Sequence, residues 1–225
     1  MKRQPDFSQQ RERMVERQLR RRGIEDARVL AAMGEVPRER FVPEAERRYA
    51  YADGALPIGN QQTISQPWIV AAICQALELK GGERVLEIGT GSGYSACVLA
   101  RLAGQVITIE RIPELAAGAR ELIAELGATN VEVVVADGSG GHPEGAPYDG
   151  IAVHATAPAA PPSLIEQVAV GGRLVVPIST DGADMLTAYA RIAAEVDVET
   201  GTGLERRNLG ACRFVPLIGR EGFAT

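Results

Sequence analysis

Short apolar segments alternate with helical segments from Gly81 onward, and this alternation constrains the fold more than any other feature of the sequence. The apolar segments predicted as strands are 84–88, 105–110, 131–136, 148–154 and 172–178. The segments predicted as helices between them are 94–103, 113–126 and 162–168. Nearly continuous apolar strands joined by helices are typical of a parallel sheet that is buried on both faces. We therefore predict a doubly wound, Rossmann-like α/β sheet.

The two ends of the chain depart from this alternation. Residues 8–33 have helical apolar spacing, and residues 53–62 are predicted to form a loop. Ser65 is the expected N-cap of a further helix that runs to about Leu79. We divide the chain into an N-terminal helical addition, residues 1–80, and the Rossmann-like core, residues 81–225, which together form one structural unit.

The C-terminal part of the core is predicted to add antiparallel strands to the sheet. Residues 186–198 and 213–218 have the apolar content of strands, and the glycine-containing stretch 198–203 is predicted to be a hairpin loop. We assign no chemistry to that loop.

Histidine and cysteine are scarce, which excludes several kinds of site. The two histidines and three scattered cysteines cannot be combined at the short spacings of a zinc framework. The odd, unclustered cysteine count argues against a secreted disulfide scaffold and favours a reducing cytosol. The sequence contains no apolar run of about 18 residues, and charged residues stand where a signal peptide would have its apolar core. We therefore expect a cytoplasmic protein with no metal centre and no membrane partner.

Charge is unevenly distributed along the chain. Residues 1–50 contain 13 Lys and Arg against 9 Asp and Glu, so they contribute +4 to a net charge of −5, and the remainder contributes −9. Arg20, Arg21 and Arg22 could contact nucleic acid, or could form the solvated face of an amphipathic helix. We favour the solvated face, because the acidic remainder would repel a phosphate backbone. No nucleic-acid partner is therefore expected.

A glycine-rich loop, Glu87-Ile88-Gly89-Thr90-Gly91-Ser92-Gly93-Tyr94, joins the first strand of the sheet to the first helix. Ligands bind at the carboxyl ends of such strands. No Lys follows the glycines, which excludes a phosphate loop, and Tyr94 stands where a dinucleotide fingerprint needs a third small residue. Glu87 would repel a pyrophosphate and attract a cation.

S-adenosylmethionine carries an ammonium and a sulfonium and no phosphate, so it suits a loop with an acidic neighbour. The residues predicted to hold it here are Glu87, Gly89, Thr90, Gly91, Ser92 and Gly93. Glycines in the loop would let the backbone approach the ligand closely. The alternative is a turn that only packs the helix against the strand.

Two further strand ends carry acidic residues. Glu110 ends the second strand and can accept both hydroxyls of a ribose, although an acid here also occurs in NAD-binding folds. Asp137 ends the third strand and could accept from an adenine amino group, with Gly138 leaving room for the base. An Asp-Gly pair after a strand is also a common turn. Together with Glu87, these acids resemble the pattern of class I S-adenosylmethionine-dependent methyltransferases.

A segment before the glycine loop separates this chain from other methyltransferases. Residues 56–67, Leu-Pro-Ile-Gly-Asn-Gln-Gln-Thr-Ile-Ser-Gln-Pro, closely resemble the protein-L-isoaspartate (D-aspartate) O-methyltransferase family. The resemblance covers almost the whole chain from about Met14, including residues 36–43, 87–94, 110–115, 157–158 and 213–219. The Thr-Ile-Ser-Gln-Pro element and the Arg-Phe-Val-Pro-Leu tail are specific signals, whereas many methyltransferases share the glycine loop.

The resemblance implies methyl transfer from S-adenosylmethionine to the free carboxylate of L-isoaspartyl residues in damaged proteins and peptides, with S-adenosylhomocysteine as the product. It implies that Ser65 is the active-site serine and that Thr63 and Ile64 lie against cofactor and acceptor. We include Arg111, next to Glu110, among the expected cofactor residues. A carboxylate is already ionised at neutral pH, so the reaction needs alignment and an anion site rather than a general base. A helix N-terminus after Ser65 would supply such a site.

Several assignments stay open. Ser65 could act only as a helix cap, and Trp68 could border a peptide groove or only pack. His154 lies in a run that departs from the family pattern; it could reach the acceptor or simply end a strand, and we favour the strand end. The functional alternatives are an O-methyltransferase acting on aspartate of a dedicated peptide, and a non-catalytic S-adenosylmethionine-binding protein. Isoaspartyl-containing proteins are the expected partners, and we favour a monomer.

Overall fold

The structure is a computed structural model that describes residues 6–197 and 200–224. Its strands are β1 (Leu56–Gly59), β2 (Gln62–Ile64), β3 (Arg84–Ile88), β4 (Gln105–Glu110), β5 (Val131–Val135), β6 (Tyr148–Val153), β7 (Val168–Ser179), β8 (Asp184–Arg191) and β9 (Leu204–Cys212). Within these residues, seven strands form one sheet in the order β5-β4-β3-β6-β7-β8-β9, and β1 and β2 form a separate hairpin.

The sheet is parallel at its centre and antiparallel at one edge. Strand β3 pairs in parallel with β4 on one side and with β6 on the other, and β5 and β7 extend the parallel part. Strands β8 and β9 are antiparallel additions. The chain therefore builds outward from β3 in both directions, and the carboxyl end of β3 is the switch point where ligands bind in such folds. The predicted doubly wound fold with C-terminal antiparallel strands is confirmed.

Helices cover the sheet and form most of the N-terminal region. They are α1 (Phe7–Met14), α2 (Ala27–Glu35), α3 (Pro67–Ala76), α4 (Tyr94–Ala100), α5 (Pro113–Glu125) and α6 (Pro162–Gln167). Helix α1 continues as a π-helical turn and a 3₁₀ turn that ends at Gly23, whose φ of 89° stops the helix. Asp6 and Asp26 cap α1 and α2, because each carboxylate accepts a hydrogen bond from a free backbone N–H of the first turn. None of the described helices has the length and apolarity that crossing a membrane requires.

A buried arginine joins the N-terminal region to the segment that precedes α3. Arg38 is fully buried; its Nε donates to the carbonyl of Ala50 at 2.7 Å, and its Nη2 donates to the carbonyl of Ser65 at 2.7 Å. The guanidinium also lies 4.9 Å from the ring centroid of Tyr94. Burial lowers the pKa of Arg38 to about 10, so the group stays charged at neutral pH. These contacts hold the backbone of Ser65 in place.

Two predictions for the residues before the sheet are wrong. Ser65 is not the N-cap: α3 starts at Pro67 after Gln66, without a side-chain cap, and ends at Ala76 rather than Leu79. Residues 53–62 are not all loop, because β1 and β2 form a hairpin whose turn residues Asn60 and Gln61 have φ of 49° and 58°. A two-residue turn of this kind normally carries a glycine, as in Asn-Gly. Gln61 stands where that glycine would be, so the sequence does not show the usual signal of a hairpin.

The C-terminal strands also differ from the prediction. Residues 213–218 form no strand; Pro216 and Ile218 make isolated bridges to Thr156 and Phe223. The last strand is β9, an edge strand whose Glu205, Arg206, Arg207 and Asn208 are exposed and lack an apolar alternation. Strand β8 covers only the first part of the predicted 186–198, and residues 198–199 of the predicted hairpin loop lie outside the described residues.

Candidate active site

A cavity of about 960 Å³, including solvent space at its mouth, lies at the carboxyl ends of β3 and β4. The predicted residues that line it are Thr63, Ile64, Ser65, Gly89, Thr90, Gly91, Ser92, Glu110, Arg111 and Gly138. Residues that the site prediction did not include also line it: Gln62, Val70, Ile88, Tyr94, Ser95, Ile109, Ile112, His154, Ala155, Val215, Pro216, Leu217 and Ile218. The cavity therefore joins segments that are more than 150 residues apart in the sequence.

The glycine loop is fixed to the neighbouring strand by its backbone. The N–H groups of Gly89 and Thr90 donate to the carbonyl of Ile109 at 2.9 and 3.2 Å. Gly93 does not line the cavity; a Cβ there would lie 3.1 Å from Cδ1 of Ile123 on α5, and its φ of 87° is left-handed. The last glycine of the loop thus allows α5 to pack closely, while Gly89 and Gly91 border the cavity.

Glu110 links the loop to the end of β4. Its Oε2 accepts from the N–H of Gly91 at 2.8 Å, and its Oε1 accepts from the N–H of Ile112 at 3.0 Å. A carboxylate has about four acceptor positions, so each oxygen keeps a position for a ligand hydroxyl. The side chain is oriented by the backbone before any ligand binds, and Arg111 stands beside it in the cavity wall.

The position of Glu87 differs from the expectation that it meets the ligand directly. Side chains of a strand alternate between faces, so Ile88 lines the cavity while Glu87 is fully buried on the other face. Oε2 of Glu87 accepts from the hydroxyl of Thr108 at 2.5 Å, and Oε1 lies 3.4 Å from Nε2 of His154. Burial raises the pKa of Glu87 to about 7, with Thr108 opposing the rise.

Asp137 is likewise not part of the cavity wall. Its carboxylate accepts from the N–H of Ser139 at 2.9 Å and from the N–H of Arg220 at 3.0 Å. Burial disfavours ionisation, but these hydrogen bonds outweigh it and lower the pKa of Asp137. Asp137 therefore fastens the C-terminal segment beside the cavity, and only its neighbour Gly138 reaches the wall.

Ser65 lies between β2 and α3 and lines the same cavity as the glycine loop. Its carbonyl is held by Arg38, and within the described part of the chain its hydroxyl makes no hydrogen bond. Thr63 and Ile64 belong to β2 and line the cavity, and Ser65 directly follows the strand. The hydroxyl of Ser65 is consequently available to a bound molecule.

His154 follows β6 and is almost completely buried, with its side chain 6% exposed. Its Nε2 is 2.8 Å from the hydroxyl of Ser95. Burial lowers the pKa of His154 to about 4, so the ring is neutral at neutral pH. The residue directly follows β6 and is hydrogen bonded, as in the favoured interpretation, and it also lines the cavity.

Trp68 and the arginine run at residues 20–22 make contacts within the N-terminal region. The indole N–H of Trp68 donates to the carbonyl of Arg22 at 3.1 Å, and the Arg22 guanidinium lies 5.1 Å from the Trp68 ring. Arg20 and Arg21 are exposed and form ion pairs with Glu16 at 3.3 and 3.7 Å. The arginine run is therefore part of a solvated helix surface.

Comparison with protein families decides what the cavity belongs to. The family model described as Protein-L-isoaspartate(D-aspartate) O-methyltransferase (PCMT) matches residues 9–222. The chain belongs to this family. The resemblance drawn from residues 56–67 and 213–219 is thereby confirmed. The Arg-Phe-Val-Pro-Leu tail is the sequence signal that could have identified residues 215–218 as lining residues, because three of these residues belong to it.

Individual relatives cover nearly the full chain. Protein-L-isoaspartate O-methyltransferase 1 of Rhodopseudomonas palustris (strain HaA2) is 54% identical over 220 residues, which are 97% of this chain and 87% of the relative. Protein-L-isoaspartate O-methyltransferase 2 of Marinobacter nauticus (strain ATCC 700491 / DSM 11845 / VT8) is 55% identical over 219 residues, 97% of each chain.

Solved PCMT structures share the fold. A protein-L-isoaspartate O-methyltransferase structure matches with a TM-score of 0.82 and 29% identity, covering 94% of this chain and 67% of that chain. A PCMT structure from Plasmodium falciparum, in complex with S-adenosyl-L-homocysteine, matches with a TM-score of 0.77 and 26% identity, covering 92% and 98%.

Proposed function

We propose that the protein transfers a methyl group from S-adenosylmethionine to the free carboxylate of L-isoaspartyl residues in damaged proteins and peptides. The observation that carries the proposal is the shared cavity: Ser65 and the glycine loop line the same cavity in a chain of the PCMT family. The relatives are named for the same reaction, and the Plasmodium falciparum relative binds S-adenosyl-L-homocysteine.

The residues of the cavity fit this cofactor chemically. Glu110 is oriented by two backbone N–H groups and keeps acceptor positions for ribose hydroxyls. Gly138 lines the cavity and packs closely on Ile88, since a Cβ there would lie 2.8 Å from Cγ2 of Ile88. The apolar side chains of Ile109, Ile112 and Leu217 suit the adenine and methionine carbons. We assign cofactor contact to Thr63, Ile64, Gly89, Thr90, Gly91, Ser92, Glu110, Arg111 and Gly138.

Glu87, Gly93 and Asp137 support the cofactor site from behind its wall. Glu87 lies under the loop, Gly93 seats the loop on α5, and Asp137 holds the C-terminal segment. Their contribution is to the shape and charge of the site rather than to direct contact.

The cofactor, when bound, supplies a methyl group on a positively charged sulfur, which an ionised carboxylate can attack without a general base. Ser65 binds the acceptor: its hydroxyl donates to one carboxylate oxygen, which leaves the other oxygen free to react. Arg38 keeps Ser65 in position by holding its carbonyl. The apolar residues Ile64 and Val215 exclude water from the reacting carboxylate. Alignment of two bound reactants is the main source of rate enhancement.

The decisive experiment offers the protein labelled S-adenosylmethionine and paired peptides that differ only in L-isoaspartate or L-aspartate at one position. Base-labile label on the isoaspartyl peptide alone is the expected result. Label on the aspartyl peptide alone would favour the aspartate-specific alternative, and equal labelling of both peptides would contradict the isoaspartyl proposal. Binding of S-adenosylhomocysteine without any labelling would favour a non-catalytic binding protein.

Replacement of Ser65 by Ala separates an acceptor role from a cofactor role. We expect a lower turnover by about 10-fold or more, because a hydrogen bond to a charged group is lost, with nearly unchanged affinity for S-adenosylhomocysteine. The exposed Ser8→Ala variant on α1 is the matched control and should behave as the wild type. A large loss of affinity in Ser65→Ala would make Ser65 a cofactor residue instead.

The cytoplasmic location and the monomeric state stay predictions.

A further inference from the structure

A cluster of polar side chains is buried directly under the glycine loop. Glu87 accepts from the hydroxyl of Thr108, and Thr108 lies 2.6 Å from the hydroxyl of Thr90 in the loop. On its other side, Oε1 of Glu87 lies 3.4 Å from Nε2 of His154, which is 2.8 Å from the hydroxyl of Ser95. Thr90, Ser95 and His154 line the cavity, so the cluster connects the buried carboxyl group to the cavity wall at three points.

No positive charge faces Glu87 within the described residues. The titratable and charged groups around it are His154 after β6, Cys97 on α4, Cys74 on α3 and Glu110 on β4. Burial raises the pKa of both thiols and lowers that of His154, so these three groups are neutral at neutral pH. Glu110 adds a negative charge that opposes ionisation of Glu87.

A buried carboxylate without a counter-charge is unstable, and Oε1 of Glu87 also lacks a hydrogen-bond partner in the described part of the chain. A cation bound in the adjoining cavity would stabilise the ionised form of the same carboxyl group by electrostatic attraction. The proposed cofactor carries a net positive charge because of its sulfonium, whereas its thioether product is neutral overall.

We propose that Glu87 is a charge sensor of the cofactor site, connected to it through His154, Ser95 and Thr90. Glu87 gives up its proton to solvent when the cationic cofactor binds, and it takes a proton back from solvent after methyl transfer has removed the sulfonium charge. The inference rests on the proposed function and deepens it. Its consequence is that the site distinguishes cofactor from product by the charge of one buried carboxyl group.

Calorimetry of ligand binding measures the transferred proton directly. The full chain is titrated at pH 7 with S-adenosylmethionine or S-adenosylhomocysteine, in two buffers that differ in ionisation enthalpy. Because the pKa of Glu87 is raised to about 7, we expect the cofactor to release up to about half a proton more than the product does. Affinity for the cofactor should rise up to about tenfold between pH 6 and pH 8, and affinity for the product should change less than about twofold.

A neutral isostere isolates the contribution of Glu87. The cofactor's own titration is the same in Glu87→Gln and in the wild type. The difference in proton release between the two proteins therefore gives the proton from Glu87, and we expect this difference to be about half a proton at pH 7. Glu132→Gln, at an exposed position of β5, is the matched control and should release as much as the wild type. Equal proton release by wild type and Glu87→Gln overturns the proposal.

Infrared difference spectroscopy of the wild type covers the case in which Glu87→Gln does not fold. The carbonyl band of a protonated carboxyl group should decrease when the cofactor is added and should persist with the product. An unchanged band with bound cofactor contradicts the charge sensor but leaves the methyltransferase proposal intact. Binding of neither ligand overturns the proposed function and the charge sensor with it.

Discussion

The two walls of the cavity are built in different ways. The inner wall, residues 88–93 and 109–112, consists of the ends of two adjacent parallel strands and the loop between strand and helix. Backbone hydrogen bonds from Gly89 and Thr90 to Ile109 fix it to the sheet. The outer wall, residues 62–65 and 215–218, consists of a short hairpin and a C-terminal segment outside the regular sheet. Isolated bridges and a few side chains hold it.

This difference separates two kinds of dependence. The inner wall is part of the buried core, so its residues determine both stability and the presence of a binding site. The outer wall depends on individual contacts such as those of Arg38 to Ser65 and of Asp137 to Arg220, each of which can be removed singly. Changes in the inner wall should therefore have large effects, and changes in the outer wall should have graded effects.

Glu110→Ala should have the largest effect, because the inner wall loses its loop tether and its proposed ribose acceptor together. Two hydrogen bonds to a charged group contribute about 1.5–3 kcal/mol each, so we expect affinity for S-adenosylhomocysteine to fall at least about 100-fold. Calorimetry measures this loss. Glu110→Gln keeps one acceptor oxygen and should be intermediate. Affinity within threefold of the wild type in Glu110→Ala would remove Glu110 from the site.

The inner wall is also the part that the sequence reveals best. Every predicted strand and helix between residues 84 and 178 is present, and the largest shift is the start of β7 at Val168, where Gly171 with φ of 86° interrupts the strand pattern without ending it. Glycine spacing and strand ends are local signals, so Gly89, Gly91 and Glu110 could be found by inspection. The face on which a side chain lies is less certain: Glu87 stands one residue before the wall and therefore lies behind it.

The outer wall was accessible from the sequence only through family resemblance. Ser65 was found because Thr-Ile-Ser-Gln-Pro is a specific element, while its local reading as a helix cap is wrong. The hairpin has no glycine at its two turn positions, and residues 215–218 are held by the bridge of Pro216 to Thr156 and by the hydrogen bond of nearby Arg220 to Asp137. Such contacts join positions about 60–80 residues apart, so no local pattern records them.

Gly138→Ala tests how tightly the inner wall is packed. The new Cβ would lie 2.8 Å from Cγ2 of Ile88, so the site must shift, and we expect the free energy of unfolding to decrease by about 1–3 kcal/mol. Urea denaturation measures it. Gly118→Ala on α5 is the matched control: its Cβ meets nothing within 4 Å, and a helical alanine should stabilise by about 0.5–1 kcal/mol. An equal change in the free energy of unfolding in the two variants would mean that Ile88 can move aside for the new methyl group at little cost.

The buried carboxyl group behind the inner wall should make stability depend on pH. The pKa of Glu87 is raised from 4.5 in the unfolded chain to about 7 in the folded one. The free energy of unfolding therefore decreases as pH rises through this interval, because the folded protein must then ionise a buried carboxyl group. His154 acts in the opposite direction, because its lowered pKa of about 4 destabilises the fold as pH falls below 6.5.

Glu87→Gln removes only the first of these two contributions. Relative to the wild type, the variant should gain about 1 kcal/mol in the free energy of unfolding between pH 6 and pH 8. Urea denaturation at both pH values measures the gain, and Glu132→Gln, exposed on β5, should show none. A difference that is independent of pH would indicate that Glu87 is ionised throughout this range.

The smallest effect is expected in the outer wall. The carboxylate of Glu221 accepts from the N–H of Ser163 at 2.9 Å and from its hydroxyl, and the N–H of Glu221 donates to Ser139 at 3.1 Å. These contacts hold the C-terminal segment that carries Leu217 and Ile218 into the cavity. Glu221→Gln retains the backbone contact and weakens the charged ones, which costs about 1 kcal/mol locally.

We therefore expect Glu221→Gln to lower affinity for S-adenosylhomocysteine about three- to fivefold and to accelerate proteolysis of the C-terminal segment, with unchanged global stability. Glu205→Gln, exposed on the edge strand β9, is the matched control. Global destabilisation together with a loss of affinity as large as that of Glu110→Ala would contradict the comparison, because the outer wall would then be as much a part of the core as the inner wall. A graded loss confined to the C-terminal segment would show that the two walls of one binding site are held by separable sets of contacts.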